Sequence, residues 1–238
     1  MIAVISDIHG NLPALQAVLE KIDSLNCQRI ISLGDITGYY AQPSECLKLL
    51  MDRDAIQLLG NHDQYLVEGT GCPRSKTVTD LLIHQSRVVT SEQVEYLSGL
   101  SSRYDEGNAS FVHGGWDDPA DQYIYKVEQQ LFPDGYEFFF SGHTHVQCQF
   151  QLADNKVYCN PGSVGQPRDG DPRAAFAVFK GDSIELYRVE YDIDRAVKAM
   201  QDAGYNQERL WEGLYKGMQI GGRIDKVSLV DNVRFRQS

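Results

Sequence analysis

The sequence predicts an α/β protein in which two β-sheets pack face to face with helices outside. Three observations predict it. Residues 1–60 alternate short apolar runs with amphipathic ones, a β-α-β-α-β rhythm that implies parallel strands joined by crossover helices. From residue 109 onward strand signals dominate, and those near the end are separated by turn pairs suited to antiparallel pairing. The chain of 238 residues is domain-sized and long enough for a sizeable core.

The elements follow in order. Ile2–Ile5 is an apolar run that reads as a buried strand. Residues 11–22 read as a helix with Leu12, Leu15, Leu19 and Ile22 on one face and Pro13 in the first turn, where its missing N–H does no harm. Residues 29–33 form a second strand. A second helix spans 44–51, with Ser44 at the N-cap and Glu45 in the first turn. Residues 55–59 make the third strand. Helices are predicted over 76–88 and 91–99. Residues 110–112 and Phe138–Phe140 read as buried strands. The segments 150–152, 157–158, Ala174–Phe179 and Ile184–Val189 read as antiparallel strands, with turns at Asp154-Asn155 and Gly181-Asp182. A helix over 193–203 places Ile193, Ala196, Val197 and Met200 on one face, with Gly204 after it, and another is expected over 206–216. The tail 223–238 alternates weakly through Ile224, Val227, Leu229, Val233 and Phe235, which suits an edge strand, an arm on another subunit, or disorder.

Composition excludes several classes. The chain is 42% hydrophobic and 23% charged, ordinary globular usage, so collagen, coiled coil and wholesale disorder are excluded. Lys+Arg 22 against Asp+Glu 33 gives a net charge of −11, with no basic cluster, which disfavours a nucleic-acid partner. A phosphate-handling role would need positive charge from another source. Five scattered cysteines without a CxxC pair point to reduced thiols in a cytoplasmic protein. The N-terminal apolar run is too short for a signal peptide, and no stretch approaches the ~20 apolar residues of a membrane span, so no membrane partner is expected.

Chemistry gathers where the apolar runs end. The first strand runs into Asp7-Ile8-His9, the second into Gly34-Asp35 and the third into Gly60-Asn61-His62-Asp63. Later strands run into His113-Gly114 and Gly142-His143-Thr144-His145. Five of the six histidines lie in these strings, and only His84 does not. In open α/β sheets function collects at the carboxyl ends of strands. Alone, each string could be an ordinary turn. Together they form a donor set of Asp, Asn and His without thiolate, suited to Mn, Fe, Ni, Co or Zn. There are too many donors for one tetrahedral ion. Two divalent ions ~3.5–4 Å apart would use them all. Asp35, ending the middle of the first three strands, is the natural bridge. Two such ions with Asp7 and Asp35 would leave a net positive site for phosphate, and would make a bridging hydroxide available near neutral pH.

The motifs D-x-H, G-D, G-N-H-D, H-G and G-H-T-H, in that order, resemble the calcineurin-like metallophosphoesterase superfamily. The run 7–11 opening a helix and the run 160–165 resemble its small bacterial phosphodiesterase-like branch. The resemblance covers roughly residues 1–190. It implies a four-layer α/β/β/α sandwich of two mixed β-sheets, with a catalytic domain over 1–190 and a helical appendage and tail over 191–238. It also implies a di-metal site, with Mn first among the candidate ions. Asp7, His9, Asp35 and His145 would hold one metal; Asp35, Asn61, His113 and His143 would hold the other. His62 would face the phosphate and assist the leaving oxygen, with Asp63 orienting its ring. The implied reaction is in-line attack by the bridging hydroxide, on diesters in preference to monoesters.

Other residues carry two readings each. Asn11 suits substrate binding or a helix N-cap. Arg168 suits a phosphate clamp or a solvated surface position. Trp116 stands near where relatives often carry Ser-Pro and is either a pocket wall or a core aromatic. The tyrosine ligand of purple acid phosphatases would fall at Gly38, so iron-tyrosinate chemistry is not expected. Alternative readings are a phosphoprotein or dinucleoside-polyphosphate phosphatase and a metal-binding scaffold without activity. The expected partner is a phosphate-ester small molecule. The segment 191–238 is expected to cap the second sheet or to build a homo-oligomer interface.

Overall fold

The computed structural model describes residues 1–230; Val233 and Phe235, included in the tail reading, lie outside them. The elements are β1 (Ile2–Ile5), α1 (Leu12–Ser24), β2 (Arg29–Ser32), α2 (Pro43–Met51), β3 (Ile56–Gln57), α3 (Asn61–Glu68), α4 (Lys76–Gln85) and α5 (Ser91–Ser98). Then come β4 (Arg103–Glu106), β5 (Ala109–Val112), β6 (Lys126–Val127), β7 (Phe138–Phe140), β8 (Cys148–Gln151), β9 (Val157–Asn160), β10 (Ala174–Phe179), β11 (Ile184–Val189), α6 (Ile193–Asp202) and β12 (Ser228–Leu229).

The strands form two five-stranded sheets and the two-stranded pair of β6 and β12. The first has the order β11-β10-β1-β2-β3 and the second β4-β5-β7-β9-β8. Three neighbouring strands run parallel in each, β1, β2 and β3 at one edge of the first sheet and β5, β7 and β9 at the centre of the second, and the remaining neighbours are antiparallel. The two sheets are mixed and packed face to face, as predicted.

Period-two alternation assigns each side chain to a layer. Val4, Ile31 and Leu33 from the first sheet meet Phe111, Phe138, Phe140 and Cys159 from the second. Phe111 and Phe140 stack at 4.8 Å between centroids, and Phe138 packs on Phe179 at 4.9 Å. Each such buried aromatic contributes roughly 1.5–3 kcal/mol. Ala3, Ile5, Phe176 and Val178 point the other way, onto Leu15, Val18, Leu19 and Ile22 of α1. On the outer face of the second sheet, Phe139 and Tyr158 are covered by Ile124, Val127 and Phe132.

Three local expectations are corrected. The second helix begins at Pro43 with Gln42 at the N-cap; Ser44 instead donates its hydroxyl to Gln93 Oε1 at 2.8 Å. Residues 206–216 form two short 3-10 turns rather than a helix, because Gly213 weakens helical propensity and Gly217 is left-handed at φ 62°. Among the described residues after 190, α6 and the two 3-10 turns pack away from the second sheet, and only Val227 joins the cluster on its outer face. Met200, Trp211 and Leu214 pack against Tyr40 and Leu81, and Arg195 reaches Gln16 of α1. The chain then crosses to pair β12 in parallel with β6, which agrees with the edge-strand reading for part of the tail.

Candidate active site

The parallel strands deliver every string identified from the sequence to one edge. Asp7 and His9 follow β1, Asp35 follows β2, Asn61 and His62 open α3 after β3, His113 follows β5, and His143 and His145 follow β7. All eight are buried. Nine non-glycine residues have positive φ among the described residues, and five of them are here: Asp7, His9, Asp35, His143 and His145, at 54–64°. Left-handed backbone costs an ordinary residue roughly 1–2 kcal/mol and persists where surrounding structure enforces it. The enforcement is a lattice of backbone bonds. Asp7 N–H donates to Gly34 O at 3.0 Å, His9 N–H to Asp35 O at 2.9 Å, and Gly142 N–H to His113 O at 2.8 Å.

Two carboxylates are held in the same way. Asp35 Oδ1 accepts from the His62 N–H at 2.8 Å, and Asp7 Oδ2 accepts from the His143 N–H at 3.1 Å. Asp35 Oδ2 and Asp7 Oδ1 are left buried without a hydrogen-bond partner. Three imidazoles are tautomer-locked. His9 Nδ1 faces Thr37 O at 2.7 Å, His113 Nδ1 faces Leu33 O at 3.1 Å, and His145 Nδ1 faces Gln166 O at 2.7 Å. A carbonyl only accepts, so each Nδ1 carries a proton and Nε2 is the atom that presents a lone pair when the ring is neutral.

Those lone pairs converge in two sets. His9 Nε2 and His145 Nε2 stand 3.1 Å apart, with Asp7 Oδ1 3.2 Å from the latter. His113 Nε2 lies 3.1 Å from Asn61 Oδ1, 3.2 Å from His143 Nδ1 and 3.4 Å from Asp35 Oδ2. Acceptors crowded at such distances repel unless a cation or a proton sits among them. Each set therefore fits a divalent ion, and the atoms are nitrogen and oxygen throughout. Asp35 Oδ2 belongs to both surroundings, 3.8 Å from His9 Nε2 on the other side.

Charge in the cluster follows from burial and neighbours. Burial works to raise the pKa of Asp35 and Asp7, but the imidazoles beside them, His113 and His145 first, hold both carboxyls well below the usual range. Burial pushes His9, His143 and His145 down, and lowers His62 to about 4 against the pull of Asp35. Only His113 is pushed up, to about 9, because Asp35 outweighs its burial. The Asp35 carboxylate thus favours a proton on His113 in the metal-free cluster, and a bound ion would compete with that proton.

Further residues sort themselves. Gly38 brings the backbone between two rings: a Cβ there would lie 2.5 Å from Nδ1 of both His62 and His9, so no side chain fits at the tyrosine-ligand position. Asp63 does not orient His62. Its Oδ1 accepts from the Thr37 N–H and Oγ1 at 2.9 and 2.8 Å, and Oδ2 from Ile36 and Gly60 N–H at 3.3 and 3.2 Å, so both oxygens are consumed by the Gly34–Gly38 turn and the start of α3. Burial, then the charge of Asp35, raises its pKa to about 6. Of the two readings of Asn11, the structure shows the N-cap, with the side chain's polar atoms used inside the scaffold. Its Oδ1 caps α1 through Ala14 N–H, and its Nδ2 donates to Gly165 O at 2.9 Å and Tyr191 Oη at 3.2 Å. Trp116 packs on Phe132 and Phe139 and donates to Ser110 Oγ, as a core aromatic. His84 faces Ala203 O at 2.8 Å, a structural tie between α4 and the end of α6.

A cavity of about 560 Å³ opens beside this cluster. His62 and Asn61 form part of its floor, and Arg168 is buried in its wall, with Nε and Nη2 on Gln166 Oε1 and Nη2 on Tyr39 Oη at 3.0 Å. None of these bonds uses Nη1. Sequence reasoning missed Tyr39, Tyr123 and Asp121. The Tyr123 ring lies 3.7 Å from that of His143, and Asp121 Oδ1 lies 3.5 Å from His143 Nε2. The only signal for Asp121 was an acidic stretch after His113, which has no periodicity to distinguish it.

Comparison with known proteins agrees with this geometry. Residues 1–183 match the family model of the calcineurin-like phosphoesterase superfamily domain. An uncharacterised protein of Methanocaldococcus jannaschii is 34% identical over 224 residues, covering 82% of this chain and 90% of its own. The Escherichia coli phosphodiesterase YfcE is 24% identical over 192 residues, covering 76% of this chain and 88% of its own. A crystal structure of a metallophosphoesterase from Sphaerobacter thermophilus superposes with TM-score 0.78 at 32% identity, over 91% of this chain and 99% of that one. A hypothetical protein of Pyrococcus horikoshii shares the fold, with TM-score 0.75 at 22% identity over 92% and 100% of the two chains. The buried carboxylates, the converging imidazoles and the family match together lead to one assignment: the chain belongs to the calcineurin-like phosphoesterase superfamily and is a metal-dependent phosphoric ester hydrolase.

Proposed function

We propose that the protein is a phosphodiesterase working with two divalent ions. Asp7, His9, Asp35 and His145 hold one ion, and Asp35, Asn61, His113 and His143 hold the other. The observation that carries this reading is Asp35 Oδ2, buried, unpartnered and flanked by His9 and His113. Manganese is the first choice for this oxygen and nitrogen set, with Fe, Ni, Zn or Co as substitutes. Two such ions supply the Lewis acidity and the activated water that in-line attack on phosphorus needs.

The chain's own groups do the rest. His62 borders the cavity, with Nδ1 free of partners. Burial keeps its ring neutral, so it offers a neutral N–H hydrogen bond to the leaving oxygen rather than a stored proton. Arg168, charged at all working pH, neutralises a phosphoryl oxygen from the cavity wall beside Tyr39. The backbone frame around Asp63 holds His9 and Asp35 in place through Thr37. The diester preference rests on two supports: the likeness to YfcE, and a cavity large enough for two ester substituents. The catalytic domain is residues 1–190, to which the segment from 191 adds one cavity wall.

The test is hydrolysis of bis-p-nitrophenyl phosphate and p-nitrophenyl phosphate by chelator-stripped protein given Mn²⁺, Ni²⁺ or Zn²⁺ in turn. Metal-restored cleavage of the diester above the monoester is expected. Equal or greater cleavage of the monoester overturns the diester preference, and inactivity with both metals bound overturns the proposed reaction.

A further inference from the structure

Among the described residues, four arginines line the cavity beside the His/Asp cluster, in a chain of net charge −11. Arg168 is buried beside the reacting centre, while Arg74, Arg209 and Arg223 are exposed toward the mouth. Among the described residues no Asp or Glu lines the cavity. The side chains are held in place rather than loose. Arg74 pairs with Asp121 and Tyr65, Arg223 pairs with Asp225 at 2.6 Å, and Arg209 Nε donates to Gln207 Oε1 at 2.8 Å. Among the described residues Arg209 has no carboxylate partner.

One phosphoryl group is accounted for by two ions and Arg168. Three further guanidinium groups around the same cavity exceed what that group requires. A guanidinium fork recognises phosphate-type oxygens. Between the cluster and Arg74 lies the face of Tyr123. Its ring is 3.7 Å from that of His143, stacks on Tyr125 at 5.4 Å with an interplanar angle of 4°, and has Arg74 Cζ 5.4 Å above it.

We propose that the substrate is a phosphoester carrying a second phosphate-type anion, held at the cavity mouth by Arg74, Arg209 and Arg223. The inference rests on the phosphodiesterase reading above and names its substrate class. Two of the three arginines come from the segment beyond residue 183, where the family match ends. That segment is fastened to the site: Asp225 N–H donates to Arg168 O at 2.7 Å, Tyr125 Oη donates to Asp225 Oδ2 at 3.4 Å, and β12 pairs with β6. The appendage is therefore a specificity element built onto a general hydrolytic core.

The experiment compares two probes on the metal-loaded protein: thymidine 5′-(p-nitrophenyl phosphate), and the same ester with an added 3′-phosphate. The doubly phosphorylated probe is expected to show kcat/KM about tenfold higher, expressed in KM and shrinking as salt rises, as exposed charge-assisted contacts do. The double variant Arg209→Ala/Arg223→Ala should bring the ratio toward one, and Arg209→Glu below one. A wild-type ratio of one or less, with both probes cleaved, overturns the second-anion site and leaves the phosphodiesterase reading intact. If neither probe nor bis-p-nitrophenyl phosphate is cleaved, the phosphodiesterase reading fails instead. Calorimetry then decides the second anion independently. Thymidine 3′,5′-bisphosphate should bind about tenfold tighter than thymidine 5′-monophosphate, and equal binding overturns the proposal.

Discussion

The backbone N–H of His62 donates to Asp35 Oδ1 at 2.8 Å and leaves Oδ2 of the same carboxylate buried without a hydrogen-bond partner. One oxygen positions the side chain, and in the proposed site the other serves both ions. In Asp35→Asn the retained oxygen can keep the His62 bond while the amide N–H₂ faces His9 and His113 as a donor. The metal-free variant should therefore melt no lower than wild type, yet lose both metals and at least ~10²-fold of activity. Elemental analysis after gel filtration, paired with a melting curve, checks it. Two equivalents of retained metal would contradict the bridging role.

His62 contacts no other polar group through Nδ1 and stands in the cavity wall. His62→Ala should keep both metals and lower kcat by ~10²–10⁴. The loss should be larger for an alkyl ester than for a nitrophenyl ester, whose leaving oxygen needs little help. Equal losses on the two esters would remove His62 from the leaving-group side.

Asp63 gathers four donors from two segments: Ile36 N–H, Thr37 N–H, Thr37 Oγ1 and Gly60 N–H. Asp63→Ala leaves them buried and unpaired, at a cost of roughly 3 kcal/mol or more. Asp63→Asn, which keeps one acceptor oxygen, should fall between. Urea unfolding of the two variants tests the order. Wild-type stability in Asp63→Ala would show that the turn does not depend on this carboxylate.

The metal-free protein should have a pH-dependent stability with two sides. His9, His62, His143 and His145 are held below their ordinary value of 6.5, so the unfolded chain binds more protons and stability falls as pH drops below about 6.5. Asp63, raised to about 6, opposes this between roughly pH 4 and 6, but it is one group against four. His113, raised to about 9, contributes stability that is full below 6.5 and is lost as pH rises through 9. Melting temperature of chelated protein should thus decline on both sides of neutrality. A flat profile from pH 7 to 5 would contradict the buried neutral histidines.

Much of this architecture was legible in the sequence because strand ends are marked twice. An apolar run such as Ile2–Ile5 stops, and a string such as Asp7-Ile8-His9 begins at once. The alternation of Phe138, Phe139 and Phe140 between two layers was hidden, because all three are apolar and a strand buried on both faces shows no period. Asp63 was assigned to orient His62, its neighbour in sequence, and Asn11 was left between substrate binding and an N-cap. Their partners, Thr37 and Gly165, lie far away in the chain, and only the fold shows that their polar atoms are already used. Arg209 and Arg223 were illegible for the same reason. They sit in a segment of weak pattern, and the cavity that gives them meaning is assembled from distant loops. The helix expected over 206–216 broke at glycines that periodicity alone did not weigh.

The central claim is that Asp35 joins two ions. Anomalous scattering from crystals grown with Mn²⁺ tests it most directly. Two peaks ~3.5–4 Å apart are predicted, one among Asp7, His9 and His145 and one among Asn61, His113 and His143, with Asp35 Oδ2 between them. A single peak, or two peaks that Asp35 does not bridge, would contradict the account.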